Sequence, residues 1–241
     1  MRELDYTQIH DKKQGISIVF LCPRSCGMVY FVHQRKGDGV MTELERMLSG
    51  RLYDAGDEAL AAARDRAKKL TWHYNQMDPT DWIGRTVLLR ELLGHLGEDS
   101  WIEPSFRCDY GTHITLGDHV FINYDCIFLD VARITIGDRV LIGPRTGLYT
   151  AGHPIAPEVR DTGLEYGLPI TLEDSVWLGG NVVVCPGVTI GRNSIIAAGS
   201  VVTKNIPPNV IAAGTPCRVL RPITDADREK WKSAQQEYHS R

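Results

Sequence analysis

An aliphatic residue returns at every sixth position through most of the stretch between Ile114 and Pro208. The longest unbroken run is Leu172, Leu178, Val184, Ile190, Ile196 and Val202. An earlier run holds Leu116, Ile122 and Phe128, and after a slip of two residues the pattern resumes at Ile136, Ile142 and Leu148. A period of six fits neither a helix, at 3.6, nor a lone strand, at 2. It fits a short strand followed by a turn, with one inward side chain per unit. Three units close a triangular coil, and stacked coils bury a column of Leu, Ile and Val, which is how repeats of this length build a parallel β-helix. Glycine follows the marked residue in Leu116-Gly117, Ile136-Gly137, Ile142-Gly143, Leu178-Gly179 and Ile190-Gly191. Gly117-Asp118, Gly137-Asp138 and Gly191-Arg192-Asn193 are expected at corners that need unusual backbone angles. A β-sandwich with regular turns is the alternative.

A chain of 241 residues can hold one large domain or two small ones. A net charge of −3 supplies no field for general nucleic-acid binding. No apolar run approaches the ~20 residues of a membrane span, and no cleavage site follows the short run Ile16–Leu21. Neither nucleic acid nor membrane is therefore expected as a partner. The six cysteines, Cys22, Cys26, Cys108, Cys126, Cys185 and Cys217, are too dispersed for a disulfide framework. Reduced thiols in a cytoplasmic protein are the simpler reading. Cys22 and Cys26 with His33 could form a metal cluster, but no second cysteine pair completes it, and no metal is expected.

Four segments are expected along the chain. Residues 1–40 match nothing downstream and are an appendage of unknown role, or come from an upstream start codon. Residues 41–97 are helical. Thr42-Glu43-Leu44-Glu45 forms a capping box, and Leu60, Ala63, Ala67, Leu70, Tyr74 and Met77 fall at helical spacing. Asp78-Pro79 is then expected to start a second helix that presents Trp82, Leu89, Leu92 and Leu96 on one side. Residues 98–216 are the β-helix, interrupted by an excursion over 151–168 that carries His153, Arg160, Glu165 and Tyr166. Residues 217–241 are a tail, partly helical.

Several strings carry a family resemblance: Phe106-Arg107-Cys108-Asp109-Tyr110-Gly111, Gly152-His153-Pro154-Ile155, Val176-Trp177-Leu178-Gly179-Gly180, Val202-Thr203-Lys204 and Gly214-Thr215-Pro216-Cys217-Arg218-Val219. With the repeat and the 41–96 segment they resemble the maltose and galactoside O-acetyltransferases, over about residues 41–223. The resemblance implies a left-handed parallel β-helix, mainly β, with an N-terminal helical segment and a short C-terminal helix. It implies a homotrimer with active sites between subunits, acetyl-CoA as donor and a sugar or glycoside hydroxyl as acceptor.

Within that resemblance His153 is the general base. A sugar hydroxyl attacks poorly until its proton is taken, and imidazole is the side chain whose ordinary charge change lies near neutral pH. Asp109, Asn123 and Arg64 match acceptor-binding positions, and carboxylate and amide suit hydroxyls that both give and accept hydrogen bonds. Asp125 and Asp130 are either neighbours of the acceptor or corner residues. Ala55 stands where the family has one acidic contact, between Asp54 and Asp57, and Val131 stands where it has another. The coenzyme is expected along Trp177, Gly180, Ala198, Thr203, Lys204, Arg218 and Arg221. The Gly180 N–H would face the thioester oxygen, and the three cations would face the nucleotide phosphates. Glu165 is a candidate to orient His153. Two readings of other classes are a non-catalytic trimeric scaffold and a zinc hydratase, the latter suggested by His113 and His119, which sit six residues apart on adjacent faces.

Overall fold

The computed structural model describes Tyr6–Asp11, Ile16–Leu21, Phe31–Gln34 and residues 41–240. The chain divides into two units, Met1–Thr42 and Glu43–Arg241. In the first, the three strands form an antiparallel sheet in chain order, with Tyr6 opposite Leu21 and Ile16 opposite Gln34. Cys22 and Cys26, on which the metal-cluster reading rested, lie outside the described residues.

The second unit is a three-sided parallel β-helix preceded by helices. One face stacks Phe106–Cys108, Cys126–Leu129, Gly147–Tyr149, Val183–Val184 and Val201–Val202. The second stacks His95–Leu96, Ile114–Leu116, Ile134–Ile136, Ile170–Leu172 and Thr189–Ile190. The third runs through Trp101–Ile102, Phe121–Ile122, Leu141–Ile142, Trp177–Leu178 and Ile195–Ile196 to Val210–Gly214. Parallel pairing in register seats each inward residue on its equivalent one coil away. Leu116, Ile136, Leu172 and Ile190 form one such column, and Phe128, Leu148, Val184 and Val202 another. All are fully buried or nearly so, each contributing roughly 1.5–3 kcal/mol of transfer free energy against the entropy of ordering the chain.

The expected corners do carry unusual backbone angles, at Asn193 within the expected string itself, but the glycines do a different job. Gly117, Gly137 and Gly191 do not carry the left-handed backbone; that falls two residues later, at His119 (φ 56°), Arg139 (φ 55°) and Asn193 (φ 62°). The glycines are there because neighbouring coils approach too closely for a side chain. A Cβ on Gly137 would lie 2.4 Å from Asp174 Oδ1 and 2.8 Å from Asp174 N. That space belongs to a ladder of carboxylates, in which Asp174 Oδ1 accepts from Asp138 N (3.0 Å), Asp138 Oδ1 from Asp118 N (3.0 Å) and Asp118 Oδ1 from Glu98 N (2.8 Å). Gly137→Ala should therefore cost roughly 1–3 kcal/mol, the usual range for overpacking, measured as a lower urea midpoint with an unchanged slope. An unchanged midpoint would show that the ladder can shift aside.

The helical segment holds α1 (Glu43–Leu48), α2 (Glu58–Gln76) and α3 (Trp82–Leu92). Asp57 caps α2, accepting from Ala59 N and Leu60 N, and Leu60, Ala67 and Tyr74 are buried. The N-cap of α3 is Asp81, not Asp78; Asp78 is spent on Thr80, whose N–H and hydroxyl both donate to its Oδ1. The segment is also less helical than expected. Tyr53–Asp54 is a strand, and His95–Leu96 already pairs with Ile114–Leu116 in the first coil, so the β-helix starts before residue 98. At the far end Cys217–Pro222 folds back antiparallel on Val210–Gly214, so a boundary at 216/217 cuts a hairpin. The helix α5 (Asp225–His239) follows behind a Thr224/Asp227 capping box.

The excursion over 151–168 is ordered. Ala151–Gly152 and Leu164–Gly167 pair antiparallel around the short helix α4 (Pro157–Arg160), and Leu164–Gly167 pairs in turn with Tyr53–Asp54. This small sheet joins the helical segment to the flank of the β-helix.

Candidate active site

The two-residue slip in the repeat falls at one corner of the coil, between the strands Cys126–Leu129 and Ile134–Ile136, where Asp130 and Val131 are added. Asp130 is fully buried, and its Oδ1 accepts from Asp109 N and Tyr110 N of the coil before, both at 2.9 Å. Its backbone carbonyl meets His113 Nδ1 at 2.7 Å. The Asp130 carboxylate thus braces the Asp109-Tyr110 corner. Around it lies a cavity of about 340 Å³, lined by Arg64 from α2, by Asp109 and Val131 from the corner, by His153 and Glu165 from the excursion, and by Tyr53.

The polar side chains hold one another in two pairs. Arg64 donates to the Tyr110 hydroxyl (2.8 Å) and to the Ala55 carbonyl (2.6 Å). The buried Tyr53 hydroxyl donates to Glu165 Oε2 at 2.7 Å. The Asp109 carboxyl is pushed up to about 6, chiefly by burial, then by the Asp130 charge, with Arg64 opposing. Burial raises Asp130 as well, against the N–H donors that hold it down. Burial raises the Tyr53 hydroxyl strongly, and Glu165 adds to it.

Of the expected acceptor residues, Arg64, Asp109 and His153 share this cavity. Asn123 does not; it lies at the next corner of the coil, its Oδ1 accepting from Tyr124 N. Ala55 and Val131 both line the cavity, while Asp54 and Asp57 turn to local N–H groups of Gly56 and of α2. Glu165 accepts its hydrogen bond from Tyr53 rather than from His153, whose exposed ring makes none among the described residues. Asp125 accepts from Ser105 at a corner.

The expected donor residues lie outside the cavity. Trp177 faces outward, in register between Leu141 and Ile195. Gly180 and Ala198 share the corner that holds Asn123, and the Gly180 carbonyl accepts from Gly199 N while its own N–H makes no backbone hydrogen bond among the described residues. Thr203, Lys204 and Arg218 are exposed. Arg221 is already paired, donating to both Asp227 oxygens at 2.6 and 2.9 Å. His113 and His119 are apart: His113 is held by Asp130, and His119 stands 3.6 Å from Asp99. Tyr53 was missed in the sequence because its role depends on a strand pair between residues far apart in the chain; the slip at Asp130-Val131 was the one available signal for an unusual corner.

The signature of the maltose acetyltransferase hexapeptide capping motif matches residues 46–97, and that of the bacterial transferase hexapeptide, in six repeats, matches residues 169–204. The galactoside O-acetyltransferase of Escherichia coli is 44% identical over 188 residues, which cover 78% of this chain and 93% of that protein. The chain belongs to the maltose and galactoside O-acetyltransferase family. Among solved structures of this acetyltransferase family, a maltose O-acetyltransferase from Clostridium difficile is 49% identical with a TM-score of 0.76, covering 77% of this chain and all 100% of that one. A hexapeptide-repeat acetyltransferase of Vibrio cholerae, solved with acetyl coenzyme A, is 46% identical with a TM-score of 0.72 over 77% of this chain and 100% of that one.

Proposed function

We propose that this family member moves an acetyl group from acetyl-CoA to a hydroxyl of a sugar or glycoside by direct transfer, with His153 as general base. The observation that carries the reading is the cavity in which His153, Asp109 and Arg64 meet, in a chain whose relatives include a galactoside O-acetyltransferase. The acceptor hydroxyl hydrogen-bonds His153, which takes its proton as the oxygen attacks the thioester carbon. The Gly180 N–H receives the developing oxyanion. The C–S bond then breaks, and the proton leaves His153 for the coenzyme thiolate. Asp109 and Arg64 hold the acceptor's other hydroxyls, and Lys204 and Arg218 face the coenzyme phosphates.

Geometry favours assembly of this site from more than one copy. Asp109 and Asn123 sit at different corners of one triangular coil, so a single chain cannot close both on one small ligand. A homotrimer with active sites between subunits brings one copy's first corner to the next copy's second. The outward ladder of Phe121, Leu141 and Trp177, each more than a third exposed, supplies apolar surface for such contacts. Among the described residues no helix is long and apolar enough to cross a membrane. The free thiols of Cys108, Cys126, Cys185 and Cys217 suit a reducing cytoplasm.

A panel of sugar and glycoside acceptors, assayed with acetyl-CoA by release of free thiol, tests the reading. Acceptor-dependent release with a matching acetyl ester is expected; release no faster than without acceptor, across the panel, overturns it. Acceptor affinity should also fall as the pH drops through about 6, where Asp109 takes up a proton and loses an acceptor site. Calorimetric titration of acceptor across this range should show the loss, and Asp109→Asn should flatten it. The linked stability runs the other way. A carboxyl raised in the folded state favours folding below about 6, and that contribution is lost as the pH rises through it.

A further inference from the structure

A second cavity, of about 490 Å³, lies beside the first and shares Asp109 and Leu129 with it. Helix α2 floors both. Arg64 faces the first cavity, and Lys68, Trp72 and Gln76 follow at four-residue steps into the second. Side chains four apart lie on one helix face, so the stripe from Arg64 to Gln76 runs about 18 Å at the helical rise per residue. Arg107 and Ile127, outward neighbours on paired strands, form the opposite wall.

Some of the lining is already spent. Asn75 exchanges two hydrogen bonds with the Phe106 backbone, each 2.9 Å, and the Thr71 hydroxyl donates to Ala67 O. Lys68 stands 3.4 Å from Asp65 in an exposed pair that holds it only weakly. Other groups are free. Trp72 is 62% exposed, and the adjacent His73 ring meets it at a T-shaped angle. Arg107 and Gln76 make no side-chain hydrogen bond or ion pair among the described residues.

A large aromatic face, with unspent donors beside and across from it, is complementary to a sugar ring, whose C–H face is apolar and whose rim is hydroxyl. Asp109 only partly offsets the two cations of the lining, Lys68 and Arg107, so charge does not select the ligand; the exposed Trp72 face and the continuity with the first cavity do. The geometry points to a second carbohydrate subsite, holding the next ring of a di- or oligosaccharide whose first ring lies at Asp109. This assignment rests on the acceptor reading above, since continuity with that cavity is what names the occupant.

The test compares maltose with glucose on the full-length protein, for wild type, Trp72→Ala and Arg107→Ala; both side chains are exposed, so the variants should fold. Saturation-transfer NMR should place both maltose rings against the wild-type protein and lose the second ring in Trp72→Ala. In acetyl-transfer assays Trp72→Ala should raise the KM for maltose roughly tenfold, as expected on removing a packed aromatic anchor, and leave the KM for glucose unchanged. Equal effects on the two sugars, or none, would overturn the subsite. So would a change in oligomeric state in Trp72→Ala, which would assign this face to contact between copies. If no sugar is acetylated, the proposed function fails by its own assay, and the NMR result still decides the subsite.

Discussion

His153→Ala is expected to lower turnover by about 10²–10⁴-fold, the usual contribution of a positioned general base, while coenzyme A binds as before. Without the imidazole, the attacking hydroxyl must shed its proton to water as the C–O bond forms, and the barrier rises. The coenzyme's expected contacts, from Gly180 through Arg218, do not include His153, and none of them lines its cavity. A fall in kcat with the coenzyme dissociation constant held is the signature of a group used only in the transition state. Turnover within about threefold of wild type would remove His153 from the mechanism. Glu165→Gln gives a graded comparison. It keeps an acceptor for the Tyr53 hydroxyl, so any loss it causes reflects the carboxylate charge near the site rather than a broken strand pair.

The largest expected effect on stability lies away from the chemistry. Arg85, on α3, is 1% exposed. Its guanidinium lies 4.2 Å from the Trp101 ring centroid and 5.1 Å from that of Tyr74. It donates to the carbonyls of Pro79 and Ile102, both at 3.1 Å, and stands 3.4 Å from the Glu103 carboxylate. These contacts join the end of α2, the start of α3 and the first coil. Arg85→Ala would leave Glu103, itself only 16% exposed, without its cation, strip two carbonyls of a donor and open a void between two aromatic rings. A loss of about 3–5 kcal/mol is expected, the range for breaking a buried pair from one side. Urea unfolding at fixed protein concentration measures it, and a loss below about 1 kcal/mol would show that the pairing is incidental. Arg85→Lys should not rescue, because an ammonium cannot stack flat on Trp101 and fork to two carbonyls at once.

Nothing in the sequence marked Arg85, and the reason is general. A six-residue period is local, repeated and paid for by burial, so it shows at once in the spacing of Leu172, Leu178 and Val184. A buried guanidinium is defined by what surrounds it, and Tyr74, Trp101 and Glu103 are brought to it by packing alone. The same division runs through the candidate site. His153, Asp109 and Arg64 stood out through the strings and the segment that hold them, but the Tyr53–Glu165 pair depends on a strand contact between segments 112 residues apart. The corner glycines were found for the wrong reason. Spacing shows that a glycine recurs; only coordinates show that at Gly137 a carboxylate oxygen occupies the place of a Cβ while the left-handed residue is Arg139.

By itself the sequence determined the coil and its inward column, because a periodic core is legible wherever one side chain in six must leave water, and it singled out His153, Asp109 and Arg64 as candidates. Tertiary structure alone decided which polar groups share a cavity, where the carboxyl of Asp109 titrates and how the second cavity joins the first. Those are properties of distance and burial, and residues far apart in the chain acquire them only when the coils stack and α2 is laid along their flank.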